Sequence, residues 1–224
     1  MDFDSAKALK KATGRAKSDV ANKLVSMFLH EVSRRACAAG GMTVSDLRYR
    51  DDVLKSFGHS CLYCGRDLEH DRASVEHLDG MNRFRAGLHV PGNVAMSCRR
   101  CNNEKRRDDQ KAKLSLAKSG WESFLSHDGS RCEAECKTCS YWASLWPDDT
   151  LRIQMLVQAA ERIRQFQLPY NLFTAWSANV QPSIQNKVEV LYRACQDFAK
   201  NEIEKLTSEL DFDFTSLSNS IDIK

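Results

Sequence analysis

Large apolar residues recur at helical spacing near the start of the chain: Val20, Leu24, Phe28 and Val32 fall every four positions, with Val25 and Leu29 beside them. Between residues 5 and 38 the lone breaker is Gly14, so the pattern predicts one long helix. "AAGGM" (38–42) ends it, and "TVSDLRYRDDVLKSFG" (43–58) predicts a second helix, with Ser45 or Thr43 as cap and Gly58 as stop. From 59 to 92 the helical period disappears in favour of short strands, turns and glycines; it is expected to return at Asn93. A further helix or two is predicted over 109–126, interrupted near Gly120, followed by an irregular stretch over 127–150. Ile153, Leu156, Val157, Ala160 and Ile163 mark a helix that should end before Pro169. Val188, Leu191, Cys195, Phe198, Ile203 and Leu206 mark another. The acidic, serine-rich tail from 211 has no such pattern and is expected to be mobile unless it docks.

Composition narrows the class. With 42% hydrophobic and 28% charged residues the chain is not mainly disordered, and a net charge of +3 argues against a uniformly basic coat while leaving room for local patches. Lys7, Lys10, Lys11, Arg15 and Lys17 on the first helix are either a solvated face or a contact for a phosphate backbone. No apolar run approaches the ~20 residues of a membrane span. "MDFDSAKALKK" lacks the apolar core of a signal peptide, so the expectation is a cytoplasmic protein with no membrane partner.

Nine cysteines are many for a reducing compartment, where disulfides do not persist. Their grouping is therefore informative. "CLYCG" (61–65) and "CRRC" (98–101) form two C-x-x-C pairs, the arrangement that supplies four thiolates to a structural Zn2+. Gly65 suits the tight turn of a zinc knuckle. On a helix, Cys98 and Cys101 would lie within about 60° of each other. Four reduced cysteines packed as small hydrophobes would explain neither the pairing nor the flanking charge. Between the pairs, "ASVEHLDG" reads as a strand from Ala73 to Glu76 that delivers Glu76 and His77 side by side. "PGNVAMSC" and Asn102 follow.

Taken together, "CLYCG", "VEHLDG" and "PGNVAMSCRRCNNEKRR" resemble the HNH endonuclease family, in its zinc-anchored branch, over residues 61–107. The resemblance implies an α+β, predominantly helical protein built round a ββα-metal module. It makes His77 the general base that takes a proton from the attacking water, a task suited to an imidazole of ordinary pKa about 6.5. Asn93 would brace the loop bearing His77, or serve as N-cap to a helix starting at Val94, or both. Glu76 and Asn102 would hold one hard divalent cation, Mg2+ or similar, and cleavage would leave a 5′ phosphate and a 3′ hydroxyl. Asp is commoner than Glu at the position of Glu76, which leaves metal preference open; Asp79 is a rival ligand, and Asn103 competes with Asn102. Arg83, Arg85, Arg99, Arg100, Lys105, Arg106 and Arg107 are candidate contacts to DNA phosphates, against the alternative of solvated surface.

"HDGSRCEAECKTCSYW" adds His127, Cys132, Cys136 and Cys139, either a second Zn2+ site or buried free thiols. The C-x-x-x-C-x-x-C spacing also matches the triad of radical S-adenosylmethionine enzymes, but nothing suggests their barrel. "YWASLWP" reads as a small aromatic core, with stacking of Trp142 or Trp146 on an unpaired base as the alternative. The organisation expected is an N-terminal helical region (1–57), the nuclease module (58–108), a helix with a cysteine-rich segment (109–150), a C-terminal helical region (151–210) and the tail (211–224). DNA is the expected substrate, RNA less so. A non-cleaving zinc-stabilised binding or assembly module and an RNA-directed toxin nuclease are the rival functions. Restriction, anti-phage defence beside an ATPase partner, and a mobile element are the alternative settings, with defence the favoured expectation and a homodimer a further one.

Overall fold

A computed structural model describes residues 5–68, 73–104 and 142–209, with side-chain detail of the first helix beginning at Val20. The elements run α1 (Ser5–Gly40), α2 (Leu47–Phe57), β1 (Ala73–His77), β2 (Val94–Cys98), α3 (Arg99–Glu104), α4 (Asp149–Gln167), a 3-10 turn (Leu168–Tyr170) and α5 (Asn171–Glu209). The described residues are thus mostly helical with a small two-stranded sheet, the α+β class expected from the sequence. The predicted helix over 109–126 and the tail lie outside the described residues.

β1 and β2 pair antiparallel, with Ala73 opposite Cys98, Glu76 opposite Ala95 and His77 opposite Val94. The second strand replaces the helix expected from Asn93. Val94, Ala95, Ser97 and Cys98 are all buried, so β2 packs on both faces and carries no alternation that would announce a strand. Its pairing with β1 decides the conformation. The helix starts only at Arg99, and Cys98 is the last residue of the strand rather than the first of the helix.

Two apolar cores flank this hairpin. In the first, Tyr49 and Phe57 of α2, Leu62 and Tyr63, Leu78, Val94 and Ala95 pack with Trp142, Trp146 and the Leu156, Ala160, Ile163 and Phe166 face of α4. In the second, Ala21, Val25, Leu29 and Cys37 of α1 meet Phe173, Ile184, Val188 and Tyr192 of α5, with Ala86, Leu88 and Val90 from the β1–β2 connection between them. Each large side chain so buried contributes about 1.5–3 kcal/mol of transfer free energy. The connection is therefore gripped by the helices at both ends of the described chain.

The buried row of α1 differs from the one the large apolar residues suggest. Val20 is 68% exposed and Leu24 is also on the outer side, while Ala21, Val25, Leu29, Ser33 and Cys37 face inward. A small residue and a polar one disguise that row. At α2 the N-cap position belongs to Asp46, not Ser45 or Thr43, and the Asp46 carboxylate accepts the Thr43 N–H at 2.6 Å. Gly58 stops the helix as expected, in the left-handed region at φ 58° with its N–H on the Leu54 carbonyl. α4 ends before Pro169. α5 begins at Asn171, well before Val188, and runs through Pro182. Its first half hides its inward face because Leu172 and Trp176 point partly or wholly outward while Phe173 points in.

Candidate active site and metal centre

The knuckle of residues 61–65 faces the junction of β2 and α3. The sulfur atoms of Cys61, Cys64, Cys98 and Cys101 all lie within 4.8 Å of one another. Cys64 Sγ and Cys98 Sγ are 3.8 Å apart, the edge expected of a sulfur tetrahedron with Zn–S bonds of about 2.3 Å. Local backbone geometry prepares the cluster. Gly65 adopts φ 68° and donates its N–H to Cys61 O at 2.9 Å, while the Cys61 N–H reaches Arg66 O at 2.8 Å. The Cys101 N–H points at Cys98 Sγ at 3.5 Å, so the first turn of α3 aims a dipole at sulfur.

Four thiols this close compete for charge. Hydrogen bonds led by the Cys101 thiol hold Cys98 far below the usual thiol range and lower Cys64 to about 7. Contact with Cys61, then Cys64 and Cys98, pushes Cys101 far up; Cys61 is pulled down by Cys101 but more strongly raised by Cys64, Cys98 and burial. Thiolates packed this closely repel one another, so all four can be ionised together only around a cation. The donor set and spacing fit a structural zinc.

The β1–β2 connection carries the second group of candidates. Asn93 is buried and works as a hub: its Oδ1 accepts the Asp79 N–H at 2.7 Å, and its Nδ2 donates to Asp79 O at 3.1 Å and Leu88 O at 2.7 Å. The Leu78 N–H reaches Asn93 O at 2.9 Å. Asn93 thus ties the residues just after His77 to the start of β2 and caps no helix. On α3, Asn102 Nδ2 donates to the Val75 carbonyl at 3.3 Å, which brings its amide to the strand that ends in Glu76 and His77. Cysteine clip, acidic–His strand end, bracing asparagine and helix asparagine stand in one ββα unit. Residues 61–108 match the HNH endonuclease family model. Neither a curated protein nor a solved structure matches the chain at a significant level.

Within the HNH segment Glu76 is 3% exposed, and Tyr63 Oη donates to its Oε1 at 3.2 Å. Burial and the Glu76 carboxylate hold the Tyr63 hydroxyl well above its ordinary pKa, which keeps it a donor. The carboxylate of Glu76 and the amide oxygen of Asn102 are hard donors borne on adjacent elements, the kind that suits a hard divalent cation. Asp79, the rival ligand, is engaged otherwise: Arg85 Nε bonds its Oδ1 at 3.1 Å and Gln181 of α5 bonds its Oδ2.

The candidate DNA-contact residues among the described ones fall into two groups. Arg85 is ion-paired with Asp79, and the Arg83 guanidinium lies 4.3 Å from the Phe84 ring and 4.2 Å from that of Tyr192. Arg83 helps to fasten the connection to α5, while the Arg85 pair lies within the connection. Arg99 and Arg100 are exposed on α3, with Arg100 Nη2 on Ser144 Oγ at 2.8 Å. Lys105, Arg106 and Arg107 lie outside the described residues, as do His127, Cys132, Cys136 and Cys139. Trp142 and Trp146 are buried and stacked, ring centroids 5.4 Å apart, which bears out the aromatic core rather than an exposed stacking platform. Among the described residues no helix is long and apolar enough to cross a membrane.

Three residues of the site give no strong signal in sequence. Tyr63 looks like filler between two cysteines, and Gln181 stands next to Pro182, far from the segment it serves. His89 is the third: its Nδ1 lies 2.9 Å from His77 Nε2.

Proposed function

We propose that the protein is a divalent-metal-dependent endonuclease that hydrolyses DNA phosphodiester bonds, with His77 as general base. The observation that carries this reading is the placement of His77 at the end of β1, opposite Val94, in a unit whose loop is braced by Asn93 and whose helix brings Asn102 to the same strand. In this reading an imidazole nitrogen of His77 takes the proton of a water lined up with the scissile P–O bond. Asn93 keeps the backbone after His77 rigid. Glu76 and Asn102 would hold the catalytic ion, Mg2+ or a similar hard cation; when bound it supplies charge stabilisation at the phosphoryl oxygens and the leaving 3′ oxygen. Arg99 and Arg100 offer positive charge beside α3 for the phosphate backbone, without reading bases. A structural zinc on Cys61, Cys64, Cys98 and Cys101 would hold α3 against the knuckle, and so hold Asn102 at its distance from β1.

The test is cleavage of supercoiled plasmid by zinc-loaded protein with and without added Mg2+, with the His77→Ala variant and an RNA of matched length offered in parallel. Mg2+-dependent nicking or linearisation of DNA, lost in His77→Ala at unchanged zinc content, is the expected result. Equal rates for variant and parent would remove His77 from the role of base, and cleavage confined to RNA would reassign the substrate.

A further inference from the structure

The contact between His77 and His89 has an orientation, and the function proposed above requires only one of its two forms. Between two neutral imidazoles 2.9 Å apart a single proton lies in the hydrogen bond. If His77 Nε2 donates, its Nδ1 carries the lone pair and can act as a base. If His89 Nδ1 donates, the lone pair of His77 is spent in the contact and its other nitrogen is protonated. The orientation of this contact therefore bears on the competence of His77 as a base.

We propose that His89 is a positioning residue for His77, accepting the His77 Nε2–H on its own Nδ1 and so keeping His77 Nδ1 as the unprotonated nitrogen. This rests on the hydrolytic reading of the site and goes beyond it by giving a role to α1, which lies outside the HNH segment. His89 is held from α1 at both ends of its peptide: its N–H donates to Ser33 Oγ at 2.8 Å, and its carbonyl accepts from Cys37 Sγ at 3.8 Å. Ser33 is itself fixed by donating to Leu29 O at 2.6 Å. The His30 ring, one turn earlier on α1, lies 5.5 Å from that of His89, and the His89 ring lies 5.2 Å from that of His77. Three imidazoles thus run in series from the N-terminal helix to the end of β1. Desolvation, reinforced by His30, lowers the pKa of His89, so its ring is neutral and carries one donor and one acceptor nitrogen. An acceptor fixed on the far side of a histidine sets both ring orientation and tautomer; for metal-ligating histidines, loss of such a partner costs about 10–100-fold, and an effect of that order is expected here.

The experiment uses the full-length zinc-loaded protein, labelled with 15N at histidine. Long-range proton–nitrogen correlation at pH 8 should give His77 a pyridine-like Nδ1 and a protonated Nε2. His89→Leu removes the acceptor at similar volume, and His89→Asn returns an amide oxygen close to the place of Nδ1. Expected are a fall in kcat of about 10–100-fold for His89→Leu at nearly unchanged KM for DNA, and recovery of most of it in His89→Asn. The His77 nitrogen shifts of His89→Leu should move towards a mixture of tautomers. A protonated Nδ1 on His77 in the parent protein would overturn the proposal. So would equal impairment of the Leu and Asn variants with His77 shifts unmoved, since that outcome describes packing alone. Should the parent cut no nucleic acid, the hydrolytic reading would fall by itself, and the nitrogen shifts would still decide the orientation.

Discussion

Asn93 and Asp79 clasp each other through their backbone and side-chain amides: the Asp79 N–H enters Asn93 Oδ1 while Asn93 Nδ2 returns to Asp79 O. A third bond runs from the same Nδ2 to Leu88 O. Asn93→Ala leaves an N–H and two carbonyls of a buried loop without this partner, each costing about 1–3 kcal/mol if water cannot reach it. The variant should unfold at lower denaturant and lose activity by more than its folded fraction explains. Asn93→Asp should be no milder, because an oxygen then faces two carbonyls. Equilibrium denaturation alongside plasmid cleavage measures both effects.

How much of this was open to reading beforehand depends on distance along the chain. The four cysteines, Glu76, His77, Asn93 and Asn102 fall within a 42-residue window whose order and spacing are informative, and they meet in one unit. Residues that act on the site from elsewhere were hidden. Gln181 reaches Asp79 across 102 positions, and Ser33 reaches His89 across 56. Neither residue type advertises a role, and Gln181 sits beside Pro182, a residue type that ordinarily interrupts helices. The strand β2 was hidden for another reason: it is buried on both faces, so it lacks the alternation that marks a half-exposed strand.

Metal removal provides a second test. Cys101→Ser should lower the zinc content by one ion per chain, measured by elemental analysis. Prolonged chelation should melt the β2–α3 junction, because the binding free energy of a structural metal is part of what holds its ligands together in the fold. Circular dichroism at 222 nm should fall only modestly, since α1, α4 and α5 lie outside the cysteine pairs. Intact α3 protection in hydrogen exchange after zinc loss would contradict this.

Asn102 can be probed through the cation. Asn102→Ala should reduce cleavage about 100-fold or more at limiting Mg2+, with partial recovery at high Mg2+, whereas Asn102→Asp should keep tight cation binding. A titration of rate against Mg2+ concentration distinguishes the two. An unchanged half-saturating concentration in Asn102→Ala would take Asn102 out of the coordination sphere.

Gly87 is expected to tolerate nothing larger. A Cβ there would come within 2.0 Å of the Asp79 carbonyl oxygen, which Asn93 already holds in place. Gly87→Ala should cost several kcal/mol, beyond the usual range of about 0.5–3 for single substitutions. Thermal denaturation provides the measurement, with Gly41→Ala as comparison, where open space surrounds the new methyl but φ is 68°.

Acid should weaken the fold through His89. Its folded pKa is below the ordinary 6.5, so both states are neutral above that value and stability is complete there. As pH falls past 6.5 the unfolded chain takes up a proton that the folded one resists, and stability declines until the folded pKa is passed. The melting temperature of the parent should therefore drop more steeply between pH 7 and 5 than that of His89→Asn. Parallel slopes would assign the acid sensitivity elsewhere.

Fastening of the β1–β2 connection from two sides has a consequence for engineering. Ala86, Leu88 and Val90 are apolar and buried only because α1 and α5 cover them, and Gln181 and Gln185 hold the carbonyls of Arg85 and Phe84. A fragment trimmed to residues 58–108 would put that apolar strip in water and leave His89 without Ser33. The segment is not a portable cassette: transplanted into another chain it would need surrogate walls on both flanks.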